Sequence, residues 1–408
     1  MKSNIYEKFA EVLVEVGVNL QPGEVAVIQA ETEHRDLVRE LARVCYRKGA
    51  RYVRVEYEDD ELNRIRAQES RAEYLETFPQ WLFDYRRAYG EDDTCVICLR
   101  TPQLDLGTET GEQLQVVQDV ERRCQEGFQM AVAGGEVSIV KTVVPGASWA
   151  RLVYPELEED EALSRLWENF IRICRLDQDD PVAAWREHQR RSQEKRTRLD
   201  ALGLDTLYLE GAGTKLTVRL VQGGKWIGGC VENTRTGQRY GPNIPTEEVF
   251  FVPDRRRVEG VVSSTVPLNY KGSLIEGIRL EVRDGRVIAH SAQRGEELLT
   301  SILNTDEGSC YFGEVSLVSV QSPIYQTGRI FYDTLLDENA VCHMALGRGT
   351  PGILDGGYEL SRKEREDVGI NNSAIHVDFM IGSTQLDVDG RTEAGERVAI
   401  MRGGDWVI

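Results

Sequence analysis

Histidine is scarce in this chain, with five in 408 residues. Long apolar runs are missing too: none approaches the ~20 residues that a membrane-spanning helix needs. A basic excess is absent, since 49 Lys and Arg face 68 Asp and Glu and leave a formal net charge of -19. Such a surface repels nucleic-acid backbone and anionic lipid, so neither nucleic acid nor membrane is expected as a partner. The turns carry no GxGxxG and no GxxxxGK[ST], which removes the usual phosphate cradles. There is no HExxH, so any metal site has to be assembled from separate segments. The opening "MKSNIYEKFAEVLVEVG" has neither the apolar core nor the small-residue cleavage site of a secretory signal. It reads as an amphipathic helix with Ile5, Phe9, Leu13 and Val16 on one stripe. A cytoplasmic location is the expectation. The eight cysteines sit singly in apolar patterns and read as reduced, buried thiols. Cys95 and Cys98 form a CxxC in "DTCVICLR", but a strand points them to opposite faces, whereas a redox or zinc pair wants a turn or helix start.

Hydrophobic residues make up 41 % of the chain, ample for a packed core. The length suggests two domains or one large one. In the first half, strand and helix alternate. "EVAVIQA" (24–30) is a strand, "HRDLVRELARVCYRKG" a helix stopped by Gly49, and "ARYVRVEY" a second strand. Helical patterns follow over 60–88, then the strand "DTCVICLR", the helix "EQLQVVQDVERRCQEG" and the strand "EVSIVKTVV". This alternation predicts an α/β fold with a mainly parallel sheet. Residues 160–201 read as two helices, the second a charged connector on which His188 is expected on a solvated face. From Leu204 short strands and turns dominate, with a hairpin turn at Asp284-Gly285 and one clear helix, "GEELLTSILN". The second half is expected to be α+β with a mixed or antiparallel sheet. The predicted domains are 1–200 and 201–408.

"NNSAIHVDFMIGS" (371–383) sets two ionisable residues in a strand-like run. Residues two apart share a strand face, so His376 and Asp378 point one way and Ile375, Val377 and Phe379 the other. A buried carboxylate needs a neutralising partner, either a divalent ion or a basic side chain. His343, in "LLDENAVCHMALGRG", follows Asp337 and Glu338. Glu248 and Glu314 open strands after Pro- or Gly-containing turns, a rigid mount for a ligand or base. Two imidazoles with the carboxylates of Glu248, Glu314, Glu338 and Asp378 suit zinc, cobalt or manganese. That is more donors than one ion needs. A carboxylate-bridged pair of ions would use them, and such pairs serve hydrolysis by activated water. Taken one at a time, each acid also reads as a turn cap and each histidine as a satisfied core residue.

At these residues the chain resembles metallopeptidase family 29, the AmpS/AmpT/PepS type of aminopeptidase. The likeness runs from "KFAEVLVEVGVNLQPGEVAVIQA" through "NIPTEEVFFVPDRRRVEGVVSST" and "TDEGSCYFGEVSLV" to "FYDTLLDENAVCH" and "SAIHVDFMIGS". The resemblance implies a two-metal exopeptidase that removes N-terminal residues from small peptides, an α/β N-terminal domain, a metal-bearing C-terminal domain and a homodimer. It places the metal ligands on Glu248, Glu314, Glu338, His343, His376 and Asp378. It makes Glu314 the bridging ligand and Glu314 or Glu338 the proton relay. One position departs from the pattern: where the family has a motif like "HxALGxAYP", this chain has "HMALGRGTP", with Thr350 in place of an active-site tyrosine. A phenol there can stabilise an oxyanion, whereas a threonine hydroxyl is shorter and a weaker acid. Tyr358, after the flexible "PGILDGG", is a candidate substitute. Two other readings stay open. One is a mononuclear Fe(II) ring-cleaving dioxygenase, which needs fewer carboxylates. The other is a metal-binding homologue with little peptidase turnover.

Overall fold

The computed structural model describes residues 2–102 and 112–408. Its first half is built on four parallel strands, β1 (Val25–Glu31), β2 (Tyr52–Glu58), β3 (Thr94–Arg100) and β4 (Ser138–Val143), in the order β2-β1-β3-β4. Helix α1 (Lys2–Val12) carries Phe9 into the core and runs on as a wider turn over Leu13–Gly17. Helix α2 (Arg35–Arg47) crosses from β1 to β2. Both faces of the sheet are apolar. Ala26, Ile28, Cys95 and Ile97 enter one cluster, and Val27, Val96 and Ile139 another. This is the behaviour of a parallel sheet covered on both sides. Cys95 and Cys98 lie within β3, and all eight cysteines are free.

Helix α3 (Pro181–Ala201) is capped by the Asp180 side chain and leads to β5 (Leu204–Gly211). His188 is not on its solvated face. Its side chain is 14 % exposed, its Nε2 lies 2.8 Å from the Thr246 carbonyl, and its Nδ1 lies 3.1 Å from Nη2 of Arg175. The charge pattern of α3 misled because His188 shares its inward face with buried Trp185, three residues earlier. Burial lowers the His188 pKa.

The second half contains two larger sheets. An eight-stranded sheet is built from β5, β6 (Thr214–Leu220), β9 (Pro253–Ser263), β10 (Arg279–Arg283), β11 (Arg286–Ser291), β15 (Asp387–Thr392), β16 (Arg397–Arg402) and β17 (Asp405–Trp406). A five-stranded sheet is built from β7 (Ile227–Gly228), β8 (Val249–Phe251), β12 (Phe312–Leu317), β13 (His343–Gly347) and β14 (His376–Met380), in the order β14-β13-β12-β8-β7. Every pairing within these two sheets is antiparallel. Hairpins and short connections in place of crossover helices account for that.

The five-stranded sheet positions everything that follows. Val249, Phe251, Val315, Leu317, Met344, Leu346, Val377 and Phe379 form its apolar face, in one cluster with residues of the eight-stranded sheet. The other face carries Glu314, Ser316, His343, His376 and Asp378 by strand alternation. Met380 on that side joins the first-half cluster together with Leu336 and Val341. One apolar core is thus shared between the two halves.

Candidate metal centre

Strict alternation along "FGEVSL" would put Phe312 and Glu314 on the same face. A bulge separates them: Phe312 pairs with Leu346, but Glu314 pairs with Ala345. The extra residue is Gly313. A Cβ there would stand 2.3 Å from the Arg348 carbonyl oxygen, so only glycine tolerates the approach. The bulge sends Phe312 to the apolar face and Glu314 to the other. His343 pairs across with Ser316, and Ala345 with Asp378, which brings three strands' polar residues to one spot.

Glu338 arrives from a different element. It ends α4 (Thr334–Glu338), whose N-terminus is capped by Asp333. The Asp337 carboxylate accepts the backbone N–H groups of Phe331 (2.8 Å) and Asp333 (3.1 Å), closing the loop before Glu338. Burial pushes the Asp337 pKa up to about 8. Asn339 is fully buried. Its Oδ1 accepts from the Glu247 N–H at 2.7 Å, and its Nδ2 donates to the Leu335 carbonyl at 2.9 Å and to Glu338 Oε1 at 3.3 Å. One amide therefore ties the Glu338 helix to the segment that opens β8. Glu247 itself pairs with Arg175 at 2.6 Å.

The six residues singled out from the sequence converge. One donor atom each from Glu248, Glu314 and His343 lies within 4.8 Å of the others, and the same holds for Glu314, His376 and Asp378, and for Glu338, His343 and Asp378. His343 Nε2 is 3.1 Å from Glu248 Oε2 and 3.4 Å from Glu314 Oε1. His376 Nε2 is 3.3 Å from Asp378 Oδ1 and 3.8 Å from Glu314 Oε2. Both Nδ1 atoms are turned outward to backbone carbonyls, that of His376 to Arg348 at 2.8 Å and that of His343 to Val341 at 3.3 Å. A ring N–H donated to a carbonyl fixes the tautomer that presents Nε2 inward, the usual arrangement behind a metal-binding imidazole.

The centre is crowded with negative charge and mostly buried, with the His376 side chain 30 % exposed at its open side. Burial raises the Glu338 pKa well above the ordinary carboxylate value, and the nearby Asp378 raises it further. Glu314 is raised by burial and by Glu248, against the pull of His343. Burial alone would lower His376, but Asp378 and Glu314 carry it to about 10. His343 is likewise carried well above its usual value by Glu248 and Glu314, against burial. Burial would raise Asp378, yet His376 holds it low. His343 Nε2 and Asp378 Oδ1 are buried and have no hydrogen-bond partner. Donors bonded to zinc at ~2.0–2.1 Å in a tetrahedron stand about 3.3–3.4 Å apart, and His343 Nε2 is already near that spacing from both Glu248 Oε2 and Glu314 Oε1. The residues present fit a divalent cation. A fourth donor group, Glu31, Glu33 and His34, lies at the carboxyl end of β1, away from this sheet, with Glu33 exposed.

Thr350 follows β13, two residues after the Arg348 carbonyl that receives His376. Its hydroxyl accepts the Gly352 N–H at 3.3 Å and caps the single turn Pro351–Ile353. The Tyr358 ring packs over Gly352 and beside Gly135 of the first half. Sequence reasoning missed Ser316 and Asn339. The signal for Ser316 was a single hydroxyl in the otherwise apolar "VSLV", two residues after Glu314.

The family model for thermophilic metalloproteases (M29) matches residues 2–406. The chain is 41 % identical over 407 residues to Aminopeptidase T of Thermus thermophilus, covering 98 % of each. It is 38 % identical over 401 residues to Aminopeptidase 2 of Geobacillus stearothermophilus, covering 98 % of this chain and 97 % of that protein. The solved structure of wild-type AmpT from Thermus thermophilus superposes with a TM-score of 0.91 at 38 % identity over the full length of both chains. Metal-donor clusters on a fold shared from end to end with these proteins have one reading: the chain belongs to the M29 family of metalloproteases and is a metal-dependent hydrolase.

Proposed function

We propose that this protein is an aminopeptidase that removes N-terminal residues from small peptides with two divalent ions (zinc, cobalt or manganese) per chain. Glu248, Glu314, Glu338, His343, His376 and Asp378 would hold them. The observation that carries this reading is the double orientation of Glu314. Its Oε1 faces His343, beside Glu248, while its Oε2 faces His376, beside Asp378. A carboxylate that faces one donor set with each oxygen would suit a ligand shared between two ions.

Bound ions of this kind lower the pKa of water toward neutrality and polarise a scissile carbonyl. The chain's own residues supply the proton transfers. Glu338 would add the proton relay to its place among the ligands. With Asn339 Nδ2 donating to its Oε1, its carboxylate would take the proton leaving the attacking water and return it to the departing amine nitrogen. Thr350 stands where the family pattern has tyrosine. Its hydroxyl gives a shorter, weaker donor toward the oxyanion, so turnover on generic dipeptides is slow, and a bulkier substrate finds room where a ring would stand. The same reading places the protein in the cytoplasm as a homodimer, with domains 1–200 and 201–408.

The test is release of the dye from aminoacyl-anilides, together with metal analysis. Chelator-sensitive release with about two zinc, cobalt or manganese ions per chain supports the proposal. No release overturns it in favour of a metal-binding homologue without peptidase turnover, and about one iron per chain overturns it in favour of a mononuclear ring-cleaving dioxygenase.

A further inference from the structure

Ser316 is fully buried in the middle of β12. Its hydroxyl lies 2.9 Å from Glu248 Oε2 and 2.9 Å from Glu314 Oε1. Among the described residues it makes no other hydrogen bond. These are the same two oxygens that His343 Nε2 faces at 3.1 and 3.4 Å. Ser316 is also the direct cross-strand partner of His343, and directly opposed residues on one face have their Cβ atoms about 4.5–5.5 Å apart. The three side chains are therefore locked to a single point of the sheet. A hydroxyl has one proton and can donate to only one carboxylate at a time. Left alone, two carboxylate oxygens converging on it would repel each other. Burying a hydroxyl in an apolar strand also costs free energy unless it is hydrogen-bonded. The only return on that cost is control of these two oxygens.

We infer that Ser316 is a positioning residue for one half of the metal centre: its hydroxyl, 2.9 Å from both, donates to Glu248 Oε2 or to Glu314 Oε1 and so sets how these two oxygens stand around His343 Nε2. This rests on the two-ion reading for the meaning of "half". Among the described residues, Ser316 makes no hydrogen bond to Glu314 Oε2, His376 or Asp378, which form the other half. Removing the hydroxyl should therefore weaken one ion and spare the other, an asymmetry that a general loss of packing would not produce.

The experiment titrates the full chain, stripped by chelator, with Zn²⁺ against a chromophoric competitor and with Co²⁺ by visible absorbance. Ser316→Ala should weaken one of the two binding events about 10–100-fold, the usual effect of losing a group that orients a ligand, and alter the Co²⁺ band that fills with it. The other event should keep its affinity. In a His376→Ala background, which disables the second half, the Ser316→Ala loss should persist. If Ser316→Ala does not fold, Ser316→Thr and Ser316→Val replace it, since they share a shape and differ only in the hydroxyl. Thr should bind the first ion more tightly than Val. Equal affinities in Ser316→Ala and the unaltered protein, equal affinities in Thr and Val, or equal weakening of both events would overturn the inference. An unaltered protein that takes up only one ion overturns the two-ion reading instead. The effect of Ser316→Ala on that single ion then still decides the role of Ser316.

Discussion

The parallel sheet of the first half and the five-stranded sheet of the second are both enclosed, but they spend their faces differently. In β1 and β3 successive residues are apolar on both sides, and each side meets its own cluster. In β12, β13 and β14 one side is apolar, while the other holds carboxylates, imidazoles and a hydroxyl, most of them buried. A sheet of the first kind contributes stability and little else. In the second kind one face anchors the strands in the core so firmly that the other can hold groups which repel one another. Rigidity from the apolar face is what lets the polar face keep donor atoms near ligand spacing.

Neighbouring residues of β14 give the strongest way to break this comparison. Asp378→Asn should abolish activity and lower metal content while leaving the circular dichroism spectrum unchanged, because a neutral amide is a poor substitute for an ionised ligand oxygen. Full occupancy with unchanged activity would remove Asp378 from the centre. One residue on, Phe379 is 1 % exposed and faces the core. Phe379→Ala should cost about 3–5 kcal/mol of folding stability, measured by denaturant unfolding of the metal-free protein. A loss below ~1 kcal/mol would mean that the apolar face is not the anchor described.

Thr350→Tyr would place a phenol just after β13, where the proposed function expects a donor to the oxyanion. Turnover on small aminoacyl-anilides should rise by roughly a hundred- to a thousand-fold, and binding of bulky substrates should weaken. If both stay the same, Thr350 does not face the reacting groups. The smallest effect belongs to the first sheet. Ile97→Val trims one buried methyl group, and should cost about 0.5–1.5 kcal/mol with no change in metal affinity. A shift in metal affinity from that site would mean that the two sheets are coupled more tightly than their shared core implies.

Much of this was legible before the fold was known. The strand–helix alternation of the first half appears in the structure within a residue or two at most boundaries, because apolar runs bounded by Gly turns leave few choices. "HVDFM" already announced a strand with one chemical face. The role expected of Thr350 came from a departure in a motif and not from any physical pattern. His188 was misjudged because charge on a helix says nothing of what packs against it. Ser316 and Asn339 were passed over because serine and asparagine are common, and only their neighbours make them informative. The last strands, Asp387–Thr392 onward, drew no attention as sequence. The first of them pairs with β5 in the interior of the eight-stranded sheet, and the other two continue that sheet to its edge.

The sequence by itself determined the periods of the elements, the acidic surface and the donor types, since these depend on side-chain chemistry and local spacing alone. Only the tertiary structure decided that four segments meet at one face and that Glu314 turns one oxygen to each donor set. Convergence depends on strand order and register, which are set by contacts between residues far apart in the chain. The face on which Glu314 stands depends on a one-residue bulge at Gly313, made possible by a carbonyl 35 residues further along the chain, at Arg348. A bulge reverses the parity of every residue before it, and nothing in the local pattern "FGEVSL" reveals that the reversal takes place.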